Sequence, residues 1–206
     1  MIIMLIGPQA CGKGTQGEML SKKLNLPLVG VGDLLRAIPE NHPKYQLVQD
    51  EMKRGELANH EVVADLLKKR VLRKDCADGY ILDGWGRIEE QFKLFDPNPD
   101  KVIFINIPCE ETIRRISGRR ICQPTGEVIN IYTLDREEMA KCAGPLIRRE
   151  DDTENAVKER LEIFSRDTLP VISKYRAQNK LVELSGLGTP DEVFGRILKA
   201  LEIGIS

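Results

Sequence analysis

The amino-acid sequence predicts an α/β fold: a doubly wound, parallel, five-stranded sheet flanked by helices. Three observations carry this. Short runs rich in Ile and Val recur along the chain, helical periodicities lie between them, and the first run passes directly into a glycine-rich turn. Strands alternating with helices make right-handed βαβ units, and strands apolar on both faces suit a sheet buried between two helical layers.

In chain order, the apolar runs are Met1 to Ile6, Pro27 to Val31, Tyr80 to Leu82, Val102 to Ile107 and Lys180 to Leu184. The first is far short of the roughly 20 residues that span a bilayer and lacks a basic leader, so it reads as a strand. Val63, Leu66, Leu67 and Val71 keep the i, i+3, i+4 rhythm of a helix, as do Leu161, Phe164, Leu169 and Ile172. Thr189 before Pro190 predicts an N-cap with a proline in the first turn, where the missing N–H costs nothing. Two stretches break the alternation. Residues 30–58 are helical in pattern but polar, and residues 120–148 carry Pro124, Gly126, Gly144 and Pro145 around β-like runs near Val128 to Tyr132. Both read as insertions into a core made of 1–29, 59–119 and 149–206.

The chain of 206 residues is long enough for one core with such excursions. Its 31 Lys and Arg against 32 Asp and Glu leave a net charge of −1, which argues against a general nucleic-acid or membrane-surface binder. An anion site must therefore be built from locally gathered arginines. The five cysteines, Cys11, Cys76, Cys109, Cys122 and Cys142, are odd in number and follow no export signal. No disulfide framework is expected, and the cytoplasm is the expected compartment. His42 and His60 lie in polar stretches without partners at ligand spacing and read as surface residues.

Gly7, Gly12 and Lys13 fill a G-x-x-x-x-G-K pattern between a strand and a helix. Chemically this is a phosphate loop. Glycines let backbone N–H groups turn toward one anion, the helix adds its positive N-terminus, and Lys13 reaches the outer phosphates. Gly14 stands where many such loops place the hydroxyl that binds Mg²⁺, with Thr15 one residue later, so no direct protein ligand for the metal is expected.

The extension GKGTQ resembles the adenylate kinase family, and three further blocks continue the resemblance in order. Gly32, Asp33, Leu34, Leu35 and Arg36 look like its G-D-(M/L)-L-R segment. Tyr80 to Arg87, YILDGWGR, is similar to its strand ending in D-G-F-P-R. Arg115, Arg119, Arg149, Asp151, Asp152 and Arg160 match the arginine-rich blocks that close over both substrates. The resemblance implies reversible transfer between MgATP and AMP, giving two ADP, with residues 30–58 as the acceptor insertion and 120–148 as the lid. It puts ATP at Ala10, Cys11, Gly12, Lys13, Gly14 and Thr15, with Arg115, Arg119 and Thr189. It puts AMP at Val31, Arg36, Glu56, Leu57, Ala58, Gly84, Trp85, Gly86, Arg87, Gln91, Arg149 and Arg160. Lys13, Asp83, Arg87, Arg119, Arg149 and Arg160 are the implied catalytic set, with Mg²⁺ held through water near Asp83. The implied protein is a monomer.

A charge count points the same way. ATP and AMP bring about six negative charges and Mg²⁺ cancels about two. Lys13, Arg36, Arg87, Arg115, Arg119, Arg149 and Arg160 offer seven cations, mostly with the planar fork that suits phosphate oxygens.

The chain departs from the family pattern in places. Val31 stands where a threonine is usual beside the acceptor base, and Gln9 and Gly86 stand in place of prolines, which is expected to loosen both turns. Where some relatives hold structural zinc with two cysteine pairs, this chain has Cys122, Thr125, Met139 and Cys142, a poor tetrahedral set. Two small buried residues in a degenerate ribbon are expected there, with zinc or a disulfide as the alternatives. A UMP or CMP kinase on the same core is the nearest rival, encouraged by Val31 and opposed by Gln91. A nucleotide-switch GTPase is suggested by the D-x-x-G of Asp83 to Gly86, but Asn179 and Lys180 run into Leu181 and Val182, not a guanine motif. A catalytically weak nucleotide-binding module is the third alternative.

Overall fold

The computed structural model describes residues 1–132 and 141–203. Its main sheet is the expected one. Strands β1 (Ile2–Ile6), β2 (Leu28–Gly30), β3 (Tyr80–Asp83), β4 (Lys101–Asn106) and β8 (Leu181–Ser185) pair in parallel in the order β2-β3-β1-β4-β8. Each coincides with an apolar run to within a residue or two.

Alternation along the central strand divides the core. Met4 and Ile6 face one way with Val29, Leu82, Val102 and Phe104, packing against Val63 and Leu67 of α4 (His60–Val71). Val171, Ile172 and Tyr175 of α8 (Leu169–Ala177) complete that layer. Ile3 and Leu5 face the other way with Ile81, Ile103 and Ile105, packing on Leu20 of α1 (Lys13–Leu24) and on Val193, Ile197 and Leu198 of α9 (Pro190–Ala200). A period of two on a strand produces this two-sided burial. Thr189 caps α9 as expected, and Glu192 returns the favour by accepting the Thr189 N–H at 2.8 Å, completing a capping box.

The first interruption holds α2 (Val31–Arg36) and α3 (Tyr45–Arg54). α5 (Glu89–Leu94) follows β3, and after β4 α6 (Cys109–Gly118) leads into the second interruption, where β5 (Arg119–Cys122), β6 (Val128–Asn130) and β7 (Leu146–Ile147) make an antiparallel sheet in the order β6-β5-β7. Here the cysteine expectation is corrected: Cys122 and Cys142 form a disulfide. The pairing of Cys122 with Leu146 across β5 and β7 draws the turn that carries Cys142 to 5.7 Å, Cα to Cα, from Cys122, within bridging distance. Of the two other positions in the degenerate zinc set, Thr125 and Met139, Met139 lies outside the described residues.

The chain then returns through α7 (Glu154–Ile163), which passes without a break through a π-helical turn, Phe164–Thr168, into α8. Among the described residues no helix is long and apolar enough to cross a membrane.

Candidate active site

The site forms at the C-terminal ends of the parallel strands, where such sheets face their ligands. β1 ends in the phosphate loop, and Gly12 enters α1 at φ 101°, a left-handed conformation that glycine adopts without strain. Lys13 curls back over this loop, its Nζ donating to the carbonyls of Gly7 at 2.9 Å and Pro8 at 2.8 Å. The ammonium is thus stationed above the loop before any anion arrives.

Asp83 closes β3 in register with Leu5 of β1 and Gly30 of β2. Its Oδ1 is shielded from solvent and has no hydrogen-bond partner. Burial pushes the carboxyl above the usual range, while Lys13 first and Arg87 next pull it back. The turn that follows contains Gly86 at φ 71°, which proline cannot adopt. Gly86 here therefore defines a left-handed turn, and a side chain at this position would press on Phe92 at 2.6 Å. Past it, Arg87 is gripped by its main chain. Its N–H donates to Gln91 Oε1 at 2.9 Å, and its carbonyl accepts the Thr168 hydroxyl at 3.0 Å, both partners being buried. Thr168 is the last residue of the π-helical turn.

The Arg87 guanidinium is disfavoured as a charge by burial and then by Arg160. Arg149 is disfavoured by burial, then by Arg36 and Arg119. Arginine stays protonated in proteins, so both charges are held at a cost set first by burial and then by like-charged neighbours. Carboxylates offset part of it. Arg160 donates to Asp151 Oδ2 at 2.8 Å and to the Met52 carbonyl of α3 at 3.0 Å, and Arg149 lies 3.7 Å from Asp151. Burial works against ionisation of Asp151, yet Arg160 and Arg149 hold its carboxyl below the usual value. Arg119 forks onto Asp152, its Nε at 2.7 Å from Oδ2. Arg36 pairs with Asp33 at 2.6 Å on a more exposed flank.

On the other side of the loop Arg115 donates to Gly186 O at 2.9 Å and reaches Ala10 O at 3.5 Å. Its Nε is held by Glu111 at 2.7 Å. Hydrogen bonding from Arg114, then from Arg115, keeps the Glu111 carboxyl down at about 2 against the opposing effect of burial.

The structure thus brings Lys13, Asp83, Arg36, Arg87, Arg119, Arg149 and Arg160 into one neighbourhood, with Arg115 bound to the phosphate loop itself. Other expected residues present their side chains elsewhere. The Trp85 indole is 1% exposed in the core and donates to Phe95 O at 2.9 Å. Glu56 pairs with Arg54 at 2.8 Å at the surface, and the Thr189 hydroxyl is occupied in capping α9. Gln91 spends its oxygen on Arg87, and Val31 is buried beside Gly84, with Ala58 buried in the same core. Gln16 and Thr168 carry no local sequence signal. Buried Gln16 donates to Pro190 O at 2.9 Å and so fastens the phosphate-loop helix to α9.

Cations crowded where a parallel strand hands over to a helix through a glycine turn define a class: α/β proteins that bind polyphosphate with a phosphate loop. Comparison with known proteins narrows it. The sequence profile of the adenylate kinase family matches residues 5–180. The chain is 37% identical to an adenylate kinase of Ruminiclostridium cellulolyticum over 98% of this chain and 100% of the relative. It is 34% identical to one of Thermosipho africanus, covering 98% and 99%, and 36% identical to one of Caldicellulosiruptor bescii, covering 98% and 100%. The chain belongs to the adenylate kinase family and is a nucleoside monophosphate kinase, a phosphotransferase. These relatives do not favour the UMP/CMP kinase or binding-module alternatives.

Proposed function

We propose that the chain exchanges a phosphoryl group between ATP and AMP to give two ADP, using the arginine cluster beside the phosphate loop. The observation that supports this most is the gathering of Arg36, Arg87, Arg119, Arg149 and Arg160 near Lys13 at the strand ends, where burial first and neighbouring guanidinium groups next disfavour the charges of Arg87 and Arg149. Such repulsion is relieved by a polyanion, and transfer between two phosphate esters brings more negative charge to one place than most ligands do.

The attacking group is a phosphate oxygen of AMP, already anionic, so no general base has to remove a proton from it. Catalysis is then positioning and charge stabilisation. The loop from Ala10 to Thr15 cradles the ATP phosphates, and Lys13, released from the Gly7 and Pro8 carbonyls, moves onto the outer ones. Arg119, Arg149 and Arg160 stabilise the moving group, Arg36 and Arg87 hold the acceptor phosphate, and Arg115 lies against the ATP base. Mg²⁺ bound with ATP offsets charge on the outer phosphates. The unpartnered Asp83 Oδ1 suits it through a coordinated water, because a buried carboxylate oxygen without a donor is matched by one. The insertion 120–148 serves as a flap that excludes water, the competing acceptor. The enzyme acts as a monomer; a single peak at about 23 kDa in size-exclusion chromatography would support this.

The test is an acceptor panel at fixed MgATP. Turnover with AMP at least tenfold above that with UMP, CMP or GMP is expected. Tight ATP binding without ADP formation from AMP would overturn the proposal.

A further inference from the structure

Gln9 sits in the phosphate loop, where a looser turn was expected of it. Its side chain is instead tied down: Nε2 donates to Asp152 Oδ1 at 3.2 Å, across 143 residues of sequence. Asp152 is almost wholly buried, with 3% of its side chain exposed, and the same carboxylate takes the fork of Arg119, the first residue of β5 and so the root of the flap. Asp152 therefore has two sets of donors, one from the loop that cradles phosphate and one from the strand on which the flap is hung.

We propose that Gln9 is a positioning residue: it holds Asp152, and through it Arg119, against the phosphate loop, so that the flap root is in place before the triphosphate binds. The inference rests on the proposed ATP site. The geometry leaves Gln9 little other purpose. Its Oε1 is buried and has no partner, a cost that a loop side chain free to turn outward would avoid. The amide stays inward because a donor to a buried carboxylate is worth more than a hydrogen bond between neutral groups. Without it, Asp152 keeps the Arg119 fork but loses its hydrogen bond to the loop, so binding ATP must also pay to order the flap root.

The experiment compares wild type, Gln9→Leu, Asp152→Asn and the double variant in MgATP and AMP kinetics, with melting curves for each. Gln9→Leu is expected to raise the KM for MgATP about tenfold, the size of one charge-assisted hydrogen bond, and to leave the KM for AMP within about twofold. In the Asp152→Asn background the same change is expected to add less than about twofold, because residues in one network are not additive. A further variant, Gln9→Glu, places a second carboxylate against Asp152. Its KM for MgATP is expected to recover as pH falls and the new carboxyl regains a proton to donate, a response that a merely structural defect would not give. Wild-type KM for MgATP in Gln9→Leu, equal effects on both substrates, full additivity with Asp152→Asn, or a pH profile for Gln9→Glu parallel to wild type would each overturn the proposal. Failure of the wild type to make ADP from AMP would instead remove the ATP-site assignment beneath it.

Discussion

The carboxamide oxygen of buried Gln91 accepts the backbone N–H of Arg87 at 2.9 Å. With the Thr168 hydroxyl on the Arg87 carbonyl, both polar groups of that peptide segment are satisfied by side chains from different helices. The guanidinium of Arg87 is thereby aimed by its main chain. Gln91→Leu orphans a buried N–H at a cost of about 1–3 kcal/mol. The expected result is a lower melting temperature and a fall in kcat/KM for AMP of about tenfold, with the KM for MgATP little changed. An unchanged kcat/KM for AMP would show that Arg87 needs no such clamp.

In the proposed reaction Arg87 holds the acceptor phosphate and Arg119 the moving group. Replacing either with Ala would then remove a charge from the transition state, and kcat should drop on the order of a hundredfold or more. Lys in place of Arg119 should recover only part, because it lacks the fork that Asp152 now occupies. Near-normal turnover in Arg87→Ala or Arg119→Ala would sink those roles.

The Cys122 to Cys142 disulfide is checked by counting thiols. Alkylation in denaturant without reductant should label Cys11, Cys76 and Cys109 alone, and reductant should add the other two. Breaking the bridge frees a loop worth about 3 kcal/mol. The loss should appear first as faster proteolysis within 120–148, since the bridge ties the end of β5 to the turn before β7 inside that stretch. Five labelled cysteines in the unreduced protein would contradict the bridge.

Asp83 sets a pH dependence. Burial holds its carboxyl above the ordinary range, so between the unfolded value and the raised folded value the folded state binds more protons. Its contribution to stability therefore falls as pH rises through that window. If Asp83 serves MgATP as proposed, MgATP favours the ionised carboxylate, so binding should release protons and tighten as pH rises through the same window. Calorimetry in two buffers of different ionisation enthalpy measures the release; Asp83→Asn should abolish it. The same release in the Asn variant would place the titrating group elsewhere.

Much of this architecture was legible because its signals are local. Runs such as Ile2 to Ile6 are apolar on both faces, Thr189 precedes Pro190, and the spacing of Gly7, Gly12 and Lys13 has one chemical use. What stayed hidden are pairings across the chain. Gln9 with Asp152, Gln16 with Pro190 and Thr168 with Arg87 join residues 81 to 174 positions apart, and nothing in their neighbours announces them. The place of the Trp85 ring in the core, donating to Phe95 O, is likewise not announced by its neighbours in the sequence. The disulfide needed the β5 and β7 register, which two short strands scarcely signal.

The central claim is that the crowded guanidinium groups serve transfer to AMP and not to water. Phosphorus NMR of a reaction started with equal ATP and AMP measures this directly. Loss of one ATP and one AMP for every two ADP, with no orthophosphate, is the expected balance; orthophosphate released in step with ATP loss, or AMP left untouched, would contradict it.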